Sequence, residues 1–290
     1  MAGKIKSGLE LSKQSWSALG QNPQLIVFPI ISGIAMIVVT ILFFIPEAFA
    51  LRPIFEAEDP TAGQLITAIV IVFIYYLVAS FVVTFSNTAL VGATLKAIGG
   101  EPATVGDGIR VALSRLGKII VYSLISATIG VIARSISQAG RQSDNIIVAI
   151  LAAILGGLIQ GAWSLLVFFA IPVMVVEDIG VRDSLKRSFE LFKQTWGEGF
   201  VGSTAIGGIS CLVSLAVLLI GGGIIAAGVL AGALALIILG AVLLILGLIV
   251  VSLLNGAVNG IFQASMYHYA TTGDAGPFID GELAREAFQS

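Results

Sequence analysis

Three amide side chains four residues apart, Asn255, Asn259 and Gln263, fall on one face of any helix that carries them. Asn87 with Thr88, and Gln160 with Ser164, are further polar positions set deep in apolar runs. Amides and hydroxyls in such settings do one of two things. They hydrogen-bond between helices and fix the packing, or they line a polar groove that takes a headgroup or a small neutral solute. Nucleophilic and acid–base chemistry has much less to work with. The one histidine, His268, has Asp274 as its nearest carboxylate in sequence, and a general base needs a positioned partner. Cys211 is the one cysteine, so it has no internal disulfide or metal partner. No HExxH, CxxC, GxSxG or Walker pattern occurs. The expectation is a non-enzyme that needs neither metal nor cofactor.

These positions sit in a chain that only oil can solvate. Residues 199–273 hold no Asp, Glu, Lys or Arg. Charged residues make up 11% of the chain, against ~25% in a soluble domain. Runs of 18 or more apolar residues are long enough to cross a hydrocarbon layer ~30 Å thick. Six such spans are predicted, at 24–46, 64–96, 118–137, 145–177, 200–226 and 229–269. The first is too long for the ~7–15-residue core of a cleaved signal and reads as a retained span. The second, fourth and sixth exceed the membrane thickness, so they must tilt, break or project into water. Pro29 and Pro172 are candidate kinks. Gly157/Gly161, Gly228/Gly232, Gly256/Gly260 and Ser126/Gly130 have the spacing that lets helix backbones approach. The turn between the last two spans is expected around Gly221-Gly222-Gly223.

Lys and Arg placement sets the orientation. The N-terminal segment, the second-to-third and fourth-to-fifth connections and the tail carry most of these residues. The opposite loops hold only Arg52, Arg134 and Arg141. Both termini are therefore expected in the cytoplasm, in a multi-pass protein of the plasma or inner membrane.

A basic amphipathic segment precedes each pair of spans. In the clearest, Val181, Leu185, Phe189, Phe192 and Trp196 recur at helical spacing, and Arg182, Lys186, Arg187, Glu190 and Lys193 lie mostly off that face. Lys6, Glu10, Leu11, Lys13, Gln14 and Trp16 match Lys186, Glu190, Leu191, Lys193, Gln194 and Trp196 at an offset of 180. A weaker match, at an offset of 76, links the middle segment. The organisation reads as one domain, 1–290, of three pseudo-repeats at 4–96, 101–177 and 178–273, with a short cytoplasmic tail, 274–290. Trp16, Trp196, Lys186, Arg187, Lys193 and His268 are the candidate interfacial residues. The amphipathic segments either lie in the headgroup plane or cap the cytoplasmic ends of the long spans.

The segment Lys186-Arg187-Ser188-Phe189-Glu190-Leu191-Phe192-Lys193-Gln194-Thr195-Trp196-Gly197-Glu198 resembles a signature of an uncharacterised family of prokaryotic six-span membrane proteins. Ile171-Pro172-Val173-Met174-Val175-Val176-Glu177 and Leu11-Ser12-Lys13-Gln14-Ser15-Trp16 add to the likeness. The arrangement is distantly similar to YciC-type proteins and to the membrane domain of some glycerophosphodiester phosphodiesterases. The resemblance implies an all-α polytopic membrane fold and carries over no activity. The expected role is non-enzymatic engagement of membrane lipids or membrane partners, as scaffold, in envelope homeostasis or in lipid handling. Self-association is open and nucleic acid is not an expected partner. The alternative is a transporter or channel for a small neutral or amphiphilic solute, using the polar patch at Asn87, Gln160 and Asn259.

Overall fold

A chain this apolar must satisfy its backbone within each segment, and helices do so. The computed structural model describes residues 2–55, 61–141, 145–194 and 196–282. Helix is the regular structure found among them. In chain order these are α1 (Ala2–Gln21), α2 (Val27–Phe55), α3 (Ala62–Ile98), α4 (Val105–Ser114), α5 (Leu116–Arg141), α6 (Ile146–Val167), α7 (Ala170–Val176), α8 (Val181–Gln194), α9 (Trp196–Leu230) and α10 (Leu234–Thr272), with a 3-10 turn, Pro23–Ile26, ahead of α2. The spans long and apolar enough to cross a membrane are Pro23–Phe44, Ala62–Ile98, Leu116–Arg141, Ile146–Val176, Ile206–Leu230 and Leu234–Thr272. The protein is an all-α multi-pass membrane protein, as its composition requires.

The chain divides into two compact units. One comprises residues 1–30, 93–105 and 194–290, the other 31–92 and 106–193. In the first, α1 packs along α9 and α10. The α1 side chains Leu11, Ser15, Ala18 and Leu19 are buried. Leu25 and Phe28 are buried after the 3-10 turn, and the end of α10 contributes Ile261, Phe262, Met266 and Tyr267. The segment after α10 folds back here. The Asp280 amide donates to Gln14 Oε1 at 2.8 Å, and Phe278 and Ile279 are buried. In the second unit α5 pairs with α6. Buried residues gather in the second half of α3, in α7 and along one side of α8.

The long helices divide into an exposed half and a buried half. α10 has 39 residues, ~58 Å at 1.5 Å per residue. Its first half exposes Leu234, Ile238, Leu239, Leu243 and Leu246, whereas Ala257 to Tyr267 is largely buried. α3 behaves alike: Leu65, Ile66, Ile69 and Val70 are exposed, and Thr88 to Thr94 is buried. An apolar exposed half suits lipid, and a buried half suits a covered end.

Several expectations change. The turn between the last spans lies at 231–233, not at Gly221-Gly222-Gly223, which are helical within α9. Gly232 adopts φ 62, with its amide on Val229 O (3.2 Å) and the Ala233 amide on Gly228 O (2.8 Å). That is the 6→1 and 5→2 pair of a Schellman cap, whose left-handed position favours glycine. Gly221 stays helical because it is a contact surface. A Cβ there would sit 2.7 Å from Leu244 Cβ and 3.3 Å from Gly240 O. Of the small-residue pairs, Gly157 and Gly161 face open space. Their neighbour Gly156 is the packed one, against Ser137 Oγ and Ala133 O. Pro29 lies in the first turn of α2, where proline is tolerated without a kink. Pro172 does break its helix. α6 ends at Val167 and α7 begins at Ala170, because the proline ring competes for the space of the Phe168 carbonyl.

The face that α8 buries is also rotated from the one expected. Val181, Ser184, Ser188, Leu191 and Phe192 are buried, Leu185 is half-buried, and Phe189 is 39% exposed. The buried hydroxyls are hydrogen-bonded: Ser184 Oγ donates to Gly180 O at 2.9 Å. Ser188 Oγ accepts the Phe169 amide at 2.9 Å. The side chain of Trp196, placed on that face by periodicity, lies outside the described residues.

Candidate functional site

The sequence-predicted polar positions fall in both units. In the first, Asn259 Nδ2 donates to Asn255 Oδ1 at 2.7 Å and to Asn255 O at 3.0 Å. Asn259 thus spends its amide N–H groups on Asn255 along α10, and Gln263 is half-buried one turn on. In the second, Thr88 Oγ1 donates to Thr84 O at 2.7 Å, Ser164 Oγ donates to Gln160 O at 2.9 Å, and Asn87 is half-buried. Most of these groups spend their hydrogen bonds within their own helix, as serine and threonine commonly do.

Gln160 differs. It lines a cleft of about 520 Å³ walled by α5 and α6, with Tyr76 of α3. The wall of α5 is Arg134, Ser137, Gln138 and Arg141, spaced i, i+3, i+4, i+7 and so on one helical face. The wall of α6 is Ala153, Gly156, Gly157 and Gln160, at the same spacing. Local sequence explains the shape. The helices pinch where Gly156 meets Ser137 and where Gly140 meets Ala152 and Ala149 O. Beside the pinch, Gly157 leaves room. A Cβ on it would meet nothing within 4 Å. Tyr76 closes the far side against Gly130, at 3.6 Å from a Cβ built there. The Asn145 side chain starts α6 by accepting the Ile147 amide at 2.9 Å.

The electrostatics are one-sided. Two guanidinium groups and two amides line this cleft, and no carboxylate lines it among the described residues. Among the described residues neither Arg134 nor Arg141 has an ion-pair partner. Arg134 lies seven residues inside the end of α5, ~10 Å along the axis. A span of 118–137 leaves Arg141 outside the helix, and Arg134, taken with it as a loop charge, is in fact helical. The signal for the site was present, in a polar stripe at helical period that crosses the assumed boundary. Arg134 and Tyr76 also line a second cleft of about 450 Å³, shared with Thr40 and Phe44 of α2 and Val72, Tyr75 and Ala79 of α3. Tyr75 packs edge-on to Phe43 at 5.7 Å and to Tyr76 at 5.8 Å, which sets the aromatic wall.

A family profile matches residues 66–278: the family of unknown function DUF6159. The chain belongs to the DUF6159 family. The match takes in α5, α6 and nearly all of α3, and so every lining residue of the α5–α6 cleft. No curated protein matches this DUF6159 chain.

A second polar cluster in this DUF6159 protein sits at the ends of α5 and α7. Asp178 Oδ1 accepts from Arg115 Nη1 at 2.5 Å and Lys118 Nζ at 2.6 Å. Arg115 Nη2 also donates to Val175 O at 3.1 Å. The hydrogen bond from Lys118, then the charges of Arg115 and Lys118, hold the Asp178 carboxyl below the usual carboxylate range. Arg187 Nε reaches Glu177 Oε1 at 3.3 Å. These groups clasp the broken α6–α7 to the start of α5 and to α8.

The expected interfacial residues divide in the same way. Lys186 is exposed, and Lys193 lies over the Phe189 ring at 4.6 Å. Arg187 is drawn into the clasp. Trp16 is half-buried, with its indole N–H enclosed and unbonded among the described residues. His268 is half-buried near Gly276, and no hydrogen bond joins it to Asp274, whose carboxylate accepts the Gly276 amide at 3.1 Å.

Proposed function

We propose that this DUF6159 protein is a non-enzymatic protein of the plasma or inner membrane, with both termini in the cytoplasm, that engages membrane lipids or other membrane proteins. The observation that carries the reading is the cleft between α5 and α6. Its cationic and amide lining opens beside helices whose exposed surface is apolar, such as Ile146, Ile147, Ile150 and Leu151 at the start of α6. An arginine set inside a membrane helix is costly unless it serves a purpose. Phospholipids supply both the apolar medium and the anion that such a lining favours. The distribution of Lys and Arg supports the orientation. The likeness to YciC-type proteins and to the phosphodiesterase membrane domain is architectural and lends no chemistry. Transport of a neutral solute through Asn87, Gln160 and Asn259 ranks second, because Asn259 already spends its amide N–H groups on Asn255.

The test is lipid retention. Protein purified in mild detergent and exchanged exhaustively is expected to keep phospholipid in stoichiometric amount, measured by phosphorus content. Folded protein stripped of all phospholipid with its melting point unchanged contradicts the proposal.

A further inference from the structure

We infer that the two clefts sharing Arg134 and Tyr76 form one two-part site for an anionic phospholipid in the leaflet at the α5–α6 turn. The inference rests on the lipid-engaging reading above and names the lipid class. The first part is built for a phosphate. Arg134 and Arg141 stand two helical turns apart on one face, Gln138 lies between them, and Gln160 faces them from α6. Guanidinium groups bind phosphate oxygens through paired donors, and an amide adds one more. The second part is built for a chain. Phe44, Val72 and Ala79 line it with Tyr75 and Tyr76, and two of its polar groups, the hydroxyls of Thr40 and Tyr75, meet each other at 3.5 Å. An amphiphile with its phosphate between the arginines passes Arg134, the residue common to both parts, and runs its acyl chain along α2 and α3. Charge decides among lipids. With two cations and no carboxylate among the described lining residues, a zwitterionic headgroup brings its own positive group towards Arg134 and Arg141 and is disfavoured. A lipid with net negative charge is not.

The experiment is native mass spectrometry of the whole protein in detergent, titrated with phosphatidylglycerol or phosphatidylcholine. The wild type is expected to favour phosphatidylglycerol roughly thirtyfold, the effect of two basic side chains at a headgroup. The double variant Arg134→Gln/Arg141→Gln is expected to erase that preference. Gly157→Leu fills the cleft from a position with open space around its Cβ, and is expected to lose phosphatidylglycerol while keeping the wild-type melting point. Equal binding of the two lipids by wild type, or an undiminished preference in the double variant, overturns the inference and leaves the lipid-engaging reading standing. Displacement of bound phosphatidylglycerol by inorganic phosphate at equal concentration overturns it too, because the apolar part then contributes nothing. A wild type that retains neither lipid overturns both readings. Should the double variant fail to fold, phosphatidylglycerol binding that survives in Gly157→Leu overturns the inference by itself.

Discussion

The backbone amide of Phe169 donates to the hydroxyl of Ser188 at 2.9 Å, joining the break between α6 and α7 to the middle of α8. Both residues are fully buried. Pro172 creates the break, and Ser188 supplies an acceptor there. Ser188→Ala removes the acceptor and is expected to lower stability by about 1 kcal/mol, the typical net worth of such a bond. Unfolding of the purified variant in mixed micelles measures it. No loss relative to wild type would show that the break needs no bond from α8.

Asp178 adopts φ 50, a left-handed conformation that Asp and Asn tolerate better than most residues. Asp178→Asn therefore isolates the charge from the backbone. The folded-state carboxyl is held below the usual range by Lys118 and Arg115. Its contribution is present above the unfolded pKa and disappears as pH falls through the folded one. Melting curves of wild type and Asp178→Asn should differ near neutral pH and converge on the acid side of the ordinary carboxylate range. A gap that stays constant across that range assigns the effect to something other than the Asp178 charge.

Glycines that touch a backbone and glycines that face open space should respond oppositely to a methyl group. A Cβ on Gly240 would lie 2.9 Å from Gly221 O and 2.9 Å from Ile225 N. Gly240→Ala is expected to cost about 1–3 kcal/mol, as overpacking does. Gly157→Ala meets nothing and is expected to be neutral or stabilising by up to ~1 kcal/mol through helix propensity. Steric-trap or detergent unfolding of the two variants compares them. Equal effects would place both glycines in the same environment.

Orientation is tested with single cysteines in a Cys211→Ser background. A cysteine at Glu101, after α3, is expected to react with a membrane-impermeant maleimide only from the cytoplasmic side, and one at Gly232 only from the other. The reverse pattern inverts the topology.

Much of this fold is legible in the residues. The spans announce themselves because charge is absent over lengths that match a bilayer, and a helix is the way such a segment satisfies its backbone. Gly221-Gly222-Gly223 misleads for a physical reason. A glycine run breaks structure in water, but inside a membrane helix one of its members, Gly221, is also a surface on which Leu244 and Gly240 pack, while Gly222 and Gly223 face open space. The α8 face misleads in a related way. Phe189 is apolar and partly exposed, while Ser184 and Ser188 are polar and buried, their hydroxyls bonded to Gly180 O and to the Phe169 amide. The cleft was hidden by one boundary. Ending the third span at 137 separates Arg134 from Arg141, although Ser137 and Gln138 complete a stripe that only a continuous helix to Arg141 brings together.

The site proposed for an anionic phospholipid spans the clefts that share Arg134 and Tyr76. A density map of the protein in nanodiscs containing phosphatidylglycerol tests it most directly. The predicted map has a phosphate within hydrogen-bond distance of both Arg134 and Arg141 and an acyl chain beside Phe44 and Val72. A map with ordered lipid elsewhere on the protein and only water between the two arginines contradicts it.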